Sequence, residues 1–265
     1  MADPVADQFA AAALRLRQAY AGGPVEPMRD ILTPTDIDGA YAVQSLNTQY
    51  WLGQGRRIVG RKIGLTAETV RKQLGVDQPD YGVLFEDTEV PDGGVLRAPL
   101  LQPKAEAEVA IVLARDLNST TATPDDLMAA AAYAVAAIEI VDSRIADWRI
   151  TFADTVADNG SSSQFVLGSV RKPLEGLDLR TCGMALELNG KVASLGAGVA
   201  CMGHPLIAAA WLARKLAEFG EGLKAGDVIL TGALGPMVSI APGDHALVSI
   251  GGLGDVSFTY AGAGA

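Results

Sequence analysis

The sequence is short of the residues that most often carry out chemistry. Only two histidines (His204, His245) and two cysteines (Cys182, Cys201) occur among 265 residues. They form no CxxC pair and no Cys/His zinc spacing, so neither structural zinc nor a disulfide framework organises this chain. Two thiols in so long a chain read as reduced, and Met1–Asp7 lacks a basic segment followed by an apolar one. The expected location is cytoplasmic. Long apolar runs are also missing. The longest, Met128–Val141, is 14 residues long and contains Glu139, too short for a membrane span. Positive charge is scarce as well: 21 Lys+Arg against 31 Asp+Glu give a formal net charge of −10. Such a surface repels phosphate backbones and anionic lipid, which excludes nucleic acid and membranes as partners. It does not exclude a small anion, because a cation held locally can dominate a site.

What is present is ordinary globular material, 49% apolar and 20% charged, enough for a sizeable core. Val5, Phe9, Ala13, Leu16 and Tyr20 recur at helical spacing until Gly22-Gly23-Pro24. A second amphipathic helix follows from Asp36, with Thr35 as its expected N-cap. Ile58–Gly64 reads as a short strand, and Thr66 is placed to cap a helix ending at Leu74-Gly75. Asp77–Gly82 reads as a turn-rich loop. Beyond residue 100 strands dominate: Ala105–Leu113, Ala137–Val141, a hairpin turning at Asn189-Gly190, Val228–Thr231, and the alternating runs 246–250 and 256–260. Helices interrupt at Thr123-Pro124, alanine-rich, and at Pro205–Phe219. The reading is a single α+β domain over 1–265, mainly helical in 1–75 and a β-rich core in 76–265.

Glu106 and Glu108 stand two apart in Lys104-Ala-Glu-Ala-Glu-Val. Strand alternation turns both carboxylates to one face. Taken alone the pair also fits a solvated strand face. Glu139 is the one charge in an otherwise apolar run, so it either meets a cation or has a strongly raised pKa. Three carboxylates on two strands suit a hard divalent cation; the competing reading for Glu139 is a buried ion pair with Arg144 or Lys104. Arg61 and Lys62 point to opposite faces of their strand, so one at most faces inward, with glycines on either side allowing close approach. Asp77 and Asp80 could be simple turn formers. Asn159–Ser163 could present N–H and hydroxyl donors to a carboxylate, or be a plain turn. His204 before Pro205 reads as a structural residue at a helix start, and Leu230–Pro236 lacks nucleotide-loop spacing.

Seven segments in order, Gly60–Thr66, Gln73–Gly82, Pro103–Glu108, Glu139–Arg144, Val156–Asn159, Gly203–Leu206 and Thr231–Met237, resemble the 2-hydroxypenta-2,4-dienoate (2-keto-4-pentenoate) hydratases of bacterial meta-cleavage pathways. These belong with the fumarylacetoacetate hydrolase-like superfamily. The resemblance implies a β-rich fold of mixed, rolled sheets and addition of water to a 2-hydroxydienoate. It implies Mg²⁺ or Mn²⁺ on Glu106, Glu108 and Glu139, an active-site lysine at Lys62 and an acid–base carboxylate at Asp80. It places substrate contacts at Ser161, Thr231 and Gly232. A homo-oligomer, associating with a related pathway decarboxylase, is the expected assembly. The rival reading is the sister 4-oxalocrotonate decarboxylase, which shares the metal and the fold. A non-catalytic partner subunit is a third, disfavoured by retention of the glutamates and Lys62.

Overall fold

The computed structural model describes residues 4–263. Two helices come first, α1 (Pro4–Gly22) and α2 (Ile37–Gly53). The N-cap of α2 is Asp36, not Thr35: its carboxylate accepts from Gly39 N at 2.9 Å. The strands β1 (Ile58–Gly64) and β2 (Asp80–Phe85) flank α3 (Glu68–Leu74), which Gly75 terminates in the left-handed region at φ 70°. Thr66 does not cap α3. It is buried, and its side chain packs so closely on Gly232 that a Cβ there would lie 2.3 Å from its methyl. Asp80 is likewise a strand residue, because β2 pairs antiparallel with β1 from the Gly64–Asp80 register onward.

The short strands β3 (Glu89–Val90) and β4 (Gly94–Leu96) lead to the long β5 (Pro103–Leu113). After it come α4 (Pro124–Ala130), β6 (Ala131–Asp142), α5 (Phe152–Ala157) and β7 (Ser162–Leu167). The hairpin β8 (Gly183–Leu188) and β9 (Lys191–Ala197) precedes α6 (Pro205–Glu218). Four strands close the chain: β10 (Val228–Ala233), β11 (Val238–Ser239), β12 (His245–Ile250) and β13 (Gly254–Tyr260). Asn189 and Gly190 turn the hairpin with φ 53° and 75°, the positive pair that a two-residue turn requires.

Eight strands form a mixed sheet in the order β2-β1-β10-β5-β6-β7-β3, with β11 beside β5; β4-β13-β12-β8-β9 form a second. Leu84 of β2 and Phe165 of β7 share one buried cluster with Val228, Leu230, Ala110, Val112, Val135 and Ala137. Five strand spacings would separate β2 from β7 by roughly 24 Å in a flat sheet. The large sheet is therefore rolled, and this small cluster fills its concave side. The alternate residues, Ile63, Val109, Ile111, Ala136, Ile138 and Val166 among them, face outward. They join the main core with the second sheet, with α6, and with Ala12, Leu16 and Val43 of the N-terminal helices. Among the described residues no helix is long and apolar enough to cross a membrane.

Candidate active site

The concave face carries the charges. On β5 and β6, Glu106 lies directly opposite Glu139, and Glu108 opposite Ala137. All three carboxylates therefore project to the same side of the sheet, and they offer oxygens within 4.8 Å of one another. Lys62 and Gly82 pair across β1 and β2 on that side, with Gly64 and Asp80 one step further along. Lys62 Nζ lies 3.2 Å from Glu139 Oε2, with the two side chains 3% and 0% exposed. Glu139 has neither Arg144 nor Lys104 as its partner. Arg144 is bound to Asp158, and Lys104 lies over the Trp148 ring. Gly232 N–H donates to Glu108 Oε2 at 2.7 Å, and the Thr231 hydroxyl turns away to Val109 O.

Glycine makes room for this crowding. A Cβ on Gly64 would lie 2.2 Å from Asp80 Oδ1, and one on Gly60 would lie 1.9 Å from Val228 O. Both positions exclude any larger residue. Gly160 backs onto the methylenes of Lys62 from the turn 159–161, in which Asn159, Gly160 and Ser161 all have positive φ (60°, 60°, 52°). Asn159 secures that turn on β2 by accepting from Val83 N at 2.7 Å and donating to Val83 O at 3.0 Å. Arg144 clamps both ends, donating to the carbonyls of Asp158 and Ser162 and to the Asp158 carboxylate. The Ser161 hydroxyl also donates to Asp158, at 3.0 Å.

Burial raises the pKa of every carboxyl group here. Glu139 is pushed up to about 7 by burial, against the pull of the Lys62 charge. Glu108 rises well above the usual carboxylate range through burial, with Glu139 and Glu106 adding to it. Glu106 and Asp80 are raised by burial and held back by Lys62. For Lys62 burial acts the other way, but Glu139, Asp80, Glu106 and Glu108 outweigh it and raise the ammonium's pKa. The surrounding carboxylates thus favour the charged form of Lys62.

Glu108 Oε1, Glu139 Oε1 and Asp80 Oδ1 are buried without a hydrogen-bond partner. Orphaned buried oxygens are costly, and a divalent cation relieves two of these three while offsetting the repulsion among the glutamates. The all-oxygen donor set fits a hard ion of the Mg²⁺, Mn²⁺ or Ca²⁺ kind. Glu106 is only partly buried, whereas Glu108 and Glu139 are fully enclosed, so the Glu106 side of the trio is the one nearest solvent. A separate cavity of about 290 Å³, lined by Arg17, Trp51, Arg56, Phe85 and Asp158, lies against the outer side of β2 and is lined by none of the candidate site residues.

A rolled mixed sheet that holds three carboxylates and a lysine on its concave face defines a class. Residues 54–260 match the family model of the fumarylacetoacetate (FAA) hydrolase C-terminal domain, and the chain belongs to that family. Over 253 residues it is 54% identical to 2-keto-4-pentenoate hydratase 1 of Dechloromonas aromatica (strain RCB), covering 95% of this chain and 96% of the relative. It is 52% identical to the 2-keto-4-pentenoate hydratase of Burkholderia vietnamiensis (strain G4 / LMG 22486), with coverages of 96% and 98%. Among solved structures it is similar to 4-oxalocrotonate decarboxylase from Pseudomonas putida G7, complexed with magnesium and adipate. There the TM-score is 0.91 and the identity 38%, over 96% of this chain and 97% of that one.

Lys62, Asp80 and the three glutamates, singled out from the sequence, come together on the concave face. Gly232 touches Glu108; Thr231 and Ser161 bond to the protein itself through their hydroxyls. Thr155, which holds down the pKa of Asp80, gave no signal: it is one threonine inside a short helix.

Proposed function

We propose that the chain is a carbon–oxygen lyase that adds water to 2-hydroxypenta-2,4-dienoate to give 4-hydroxy-2-oxopentanoate, in the degradation of aromatic compounds. The observation that carries this reading is the closed carboxylate trio with Lys62 and Asp80 facing it, in a chain more than half identical to named hydratases. Glu106, Glu108 and Glu139 would hold Mg²⁺ or Mn²⁺, and the magnesium in the decarboxylase neighbour supports that class of ion. When bound, the ion supplies Lewis-acid charge to a 2-oxo carboxylate.

Lys62 keeps its proton and stabilises negative charge developing at the substrate's C2 oxygen. Asp80, with an oxygen free of hydrogen bonds and a raised pKa, gives and takes the proton at carbon. A proton delivered to C5 while the C2 hydroxyl gives one up converts the dienol to its tautomer, the 2-oxo-3-enoate; C4 of that enone is electrophilic, so water adds its hydroxyl there and its proton at C3. Gly232 N–H holds Glu108 in place, and the Asn159–Ser161 turn holds Lys62 from behind. The protein acts in the cytoplasm as a homo-oligomer; the exposed Val192 and Leu195 on the edge strand β9 are apolar surface that association would bury.

The test is to supply 2-hydroxypenta-2,4-dienoate with Mg²⁺ or Mn²⁺ and follow loss of the dienol absorbance. Turnover to 4-hydroxy-2-oxopentanoate supports the hydratase. CO₂ release from 2-oxohex-3-enedioate, with the dienoate untouched, supports the decarboxylase instead.

A further inference from the structure

We propose that Lys104, held by Trp148, is the cation at the mouth of the pocket that receives the carboxylate end of the substrate. This rests on the reading that the pocket takes a 2-oxo acid. Lys104, Glu106 and Glu108 alternate along β5, so Lys104 shares the concave face and lies one step, about 7 Å, outward from Glu106. That is the side nearest solvent, since Glu106 is partly exposed and Glu108 is not.

The Lys104 ammonium lies 4.2 Å from the centroid of the Trp148 ring. Among the described residues no carboxylate comes within 4.0 Å of it. A cation seated on an aromatic face keeps its charge available to an arriving anion. The loop that carries Trp148 is held at a cost. Asp147 and Trp148 are consecutive non-glycine residues at φ 57° and 54°, a conformation retained only where the surroundings enforce it. Gln102, next but one to Lys104, does the enforcing. Its carbonyl accepts from the Trp148 indole N–H at 3.0 Å and its side-chain oxygen from Asp147 N at 2.8 Å. Its side-chain nitrogen donates to the carbonyls of Ser143 and Ile145 at 2.9 and 2.8 Å. One glutamine thus ties the loop to the start of β5, and the result is an indole placed against one lysine.

Charge balance gives that lysine a purpose. Glu106, Glu108, Glu139 and Asp80 against Lys62 leave the pocket formally three charges negative, and a divalent cation still leaves one. Lys62 is buried beside Glu139 and so is not a cation at the entrance. An anionic substrate approaching a protein of net charge −10 needs another cation at the entrance, and Lys104 fits that place.

The experiment compares wild type with K104Q, K104R and W148F, all with saturating Mg²⁺. Binding of oxalate, an unreactive analogue of a 2-oxo carboxylate, is measured by calorimetry, and KM and kcat are measured for 2-hydroxypenta-2,4-dienoate. K104Q is expected to weaken oxalate binding and raise KM about tenfold, as loss of a charge-assisted contact does, with kcat within about threefold. K104R should recover most of the loss, and W148F, which keeps an aromatic face but loses the indole hydrogen bond to Gln102, should weaken oxalate binding less than K104Q does. Raising salt should raise KM in wild type and much less in K104Q. Unchanged oxalate affinity and KM in K104Q overturn the proposal. So does a KM change accompanied by an equal loss of Mg²⁺ affinity, which marks a disturbed glutamate site. If wild type does not turn over the dienoate yet oxalate binding still depends on Lys104, the hydratase reading fails and this one stands.

Discussion

Glu139 sets how the site responds to pH. Its carboxyl group, held up near about 7 by burial, is largely protonated below that value in protein without a divalent cation. Cation binding requires the carboxylate, so affinity should fall by up to about tenfold per pH unit below 7, with protons released on binding. Titration calorimetry of Mg²⁺ in two buffers of different ionisation enthalpy reads that release; no difference between them would contradict the buried trio. The stability of the cation-free protein runs the opposite way. The folded pKa lies above the unfolded value of about 4.3, so the folded state binds more protons between the two. The contribution is full below about pH 4 and is lost as pH rises through 7. The melting temperature without metal should therefore fall from pH 5 to pH 8, and Mg²⁺ should restore most at the upper end. Glu106→Gln removes a ligand and a like charge together. It should raise the metal-free melting temperature, abolish the stabilisation by Mg²⁺, and reduce turnover to background.

At this scale the sequence pattern anticipated the shared face of Glu106, Glu108 and Glu139, where a charge stood in an apolar run or alternated along a strand. It was silent where a role depends on what folds back from a distance. Lys62 instead of Arg144 or Lys104 as the partner of Glu139 follows from the roll of the sheet, which brings the side chains of β1 and β6 together across the two strands between them and which no local pattern encodes.

Among the elements, the turn 159–161 bears most on the chemistry. Three successive residues with positive φ are held by the Asn159 amide on Val83 and by Arg144 across both ends. Asn159→Ala removes two hydrogen bonds and a side chain suited to the left-handed region, and should cost about 1–3 kcal/mol in denaturant unfolding. Turnover should fall more than substrate affinity, because Gly160 would no longer press on Lys62. Arg144→Ala leaves Asp158 buried and uncompensated, at about 3–5 kcal/mol. Sequence pattern gave the hairpin at Asn189-Gly190 and most strands, but it misjudged the alanine-rich stretch. The helix there spans only Pro124–Ala130, and Ala131 onward is strand because β5 pairs along it, with Lys172 bridging Ala134 on the other side and β7 taking over from Ala137. Helix propensity yields to two ladders of hydrogen bonds.

For the molecule as a whole, one apolar core runs from Ala12 and Leu16 of α1 to Phe258 and Tyr260 of β13. The N-terminal helices have no core of their own, so calorimetry should record a single unfolding transition. Two resolved transitions would make the helical portion a separate unit. Periodicity alone leads to the expectation of a mainly helical beginning; α1, α2 and α3 lie there, with β1 among them, and most strands follow. The rolling of the large sheet was not legible in it, since a period of two says which side a residue faces and nothing of whether that side is concave.

The small cluster of Leu84, Ala110, Val112, Val135, Ala137, Phe165, Val228 and Leu230 beneath the carboxylates is fully apolar and sealed. With that apolar floor on one side, water approaching beside the partly exposed Glu106 would meet one face of a planar enoate. The hydroxyl group would then be set at C4 in a single configuration, and chromatography on a chiral phase should find one enantiomer of 4-hydroxy-2-oxopentanoate.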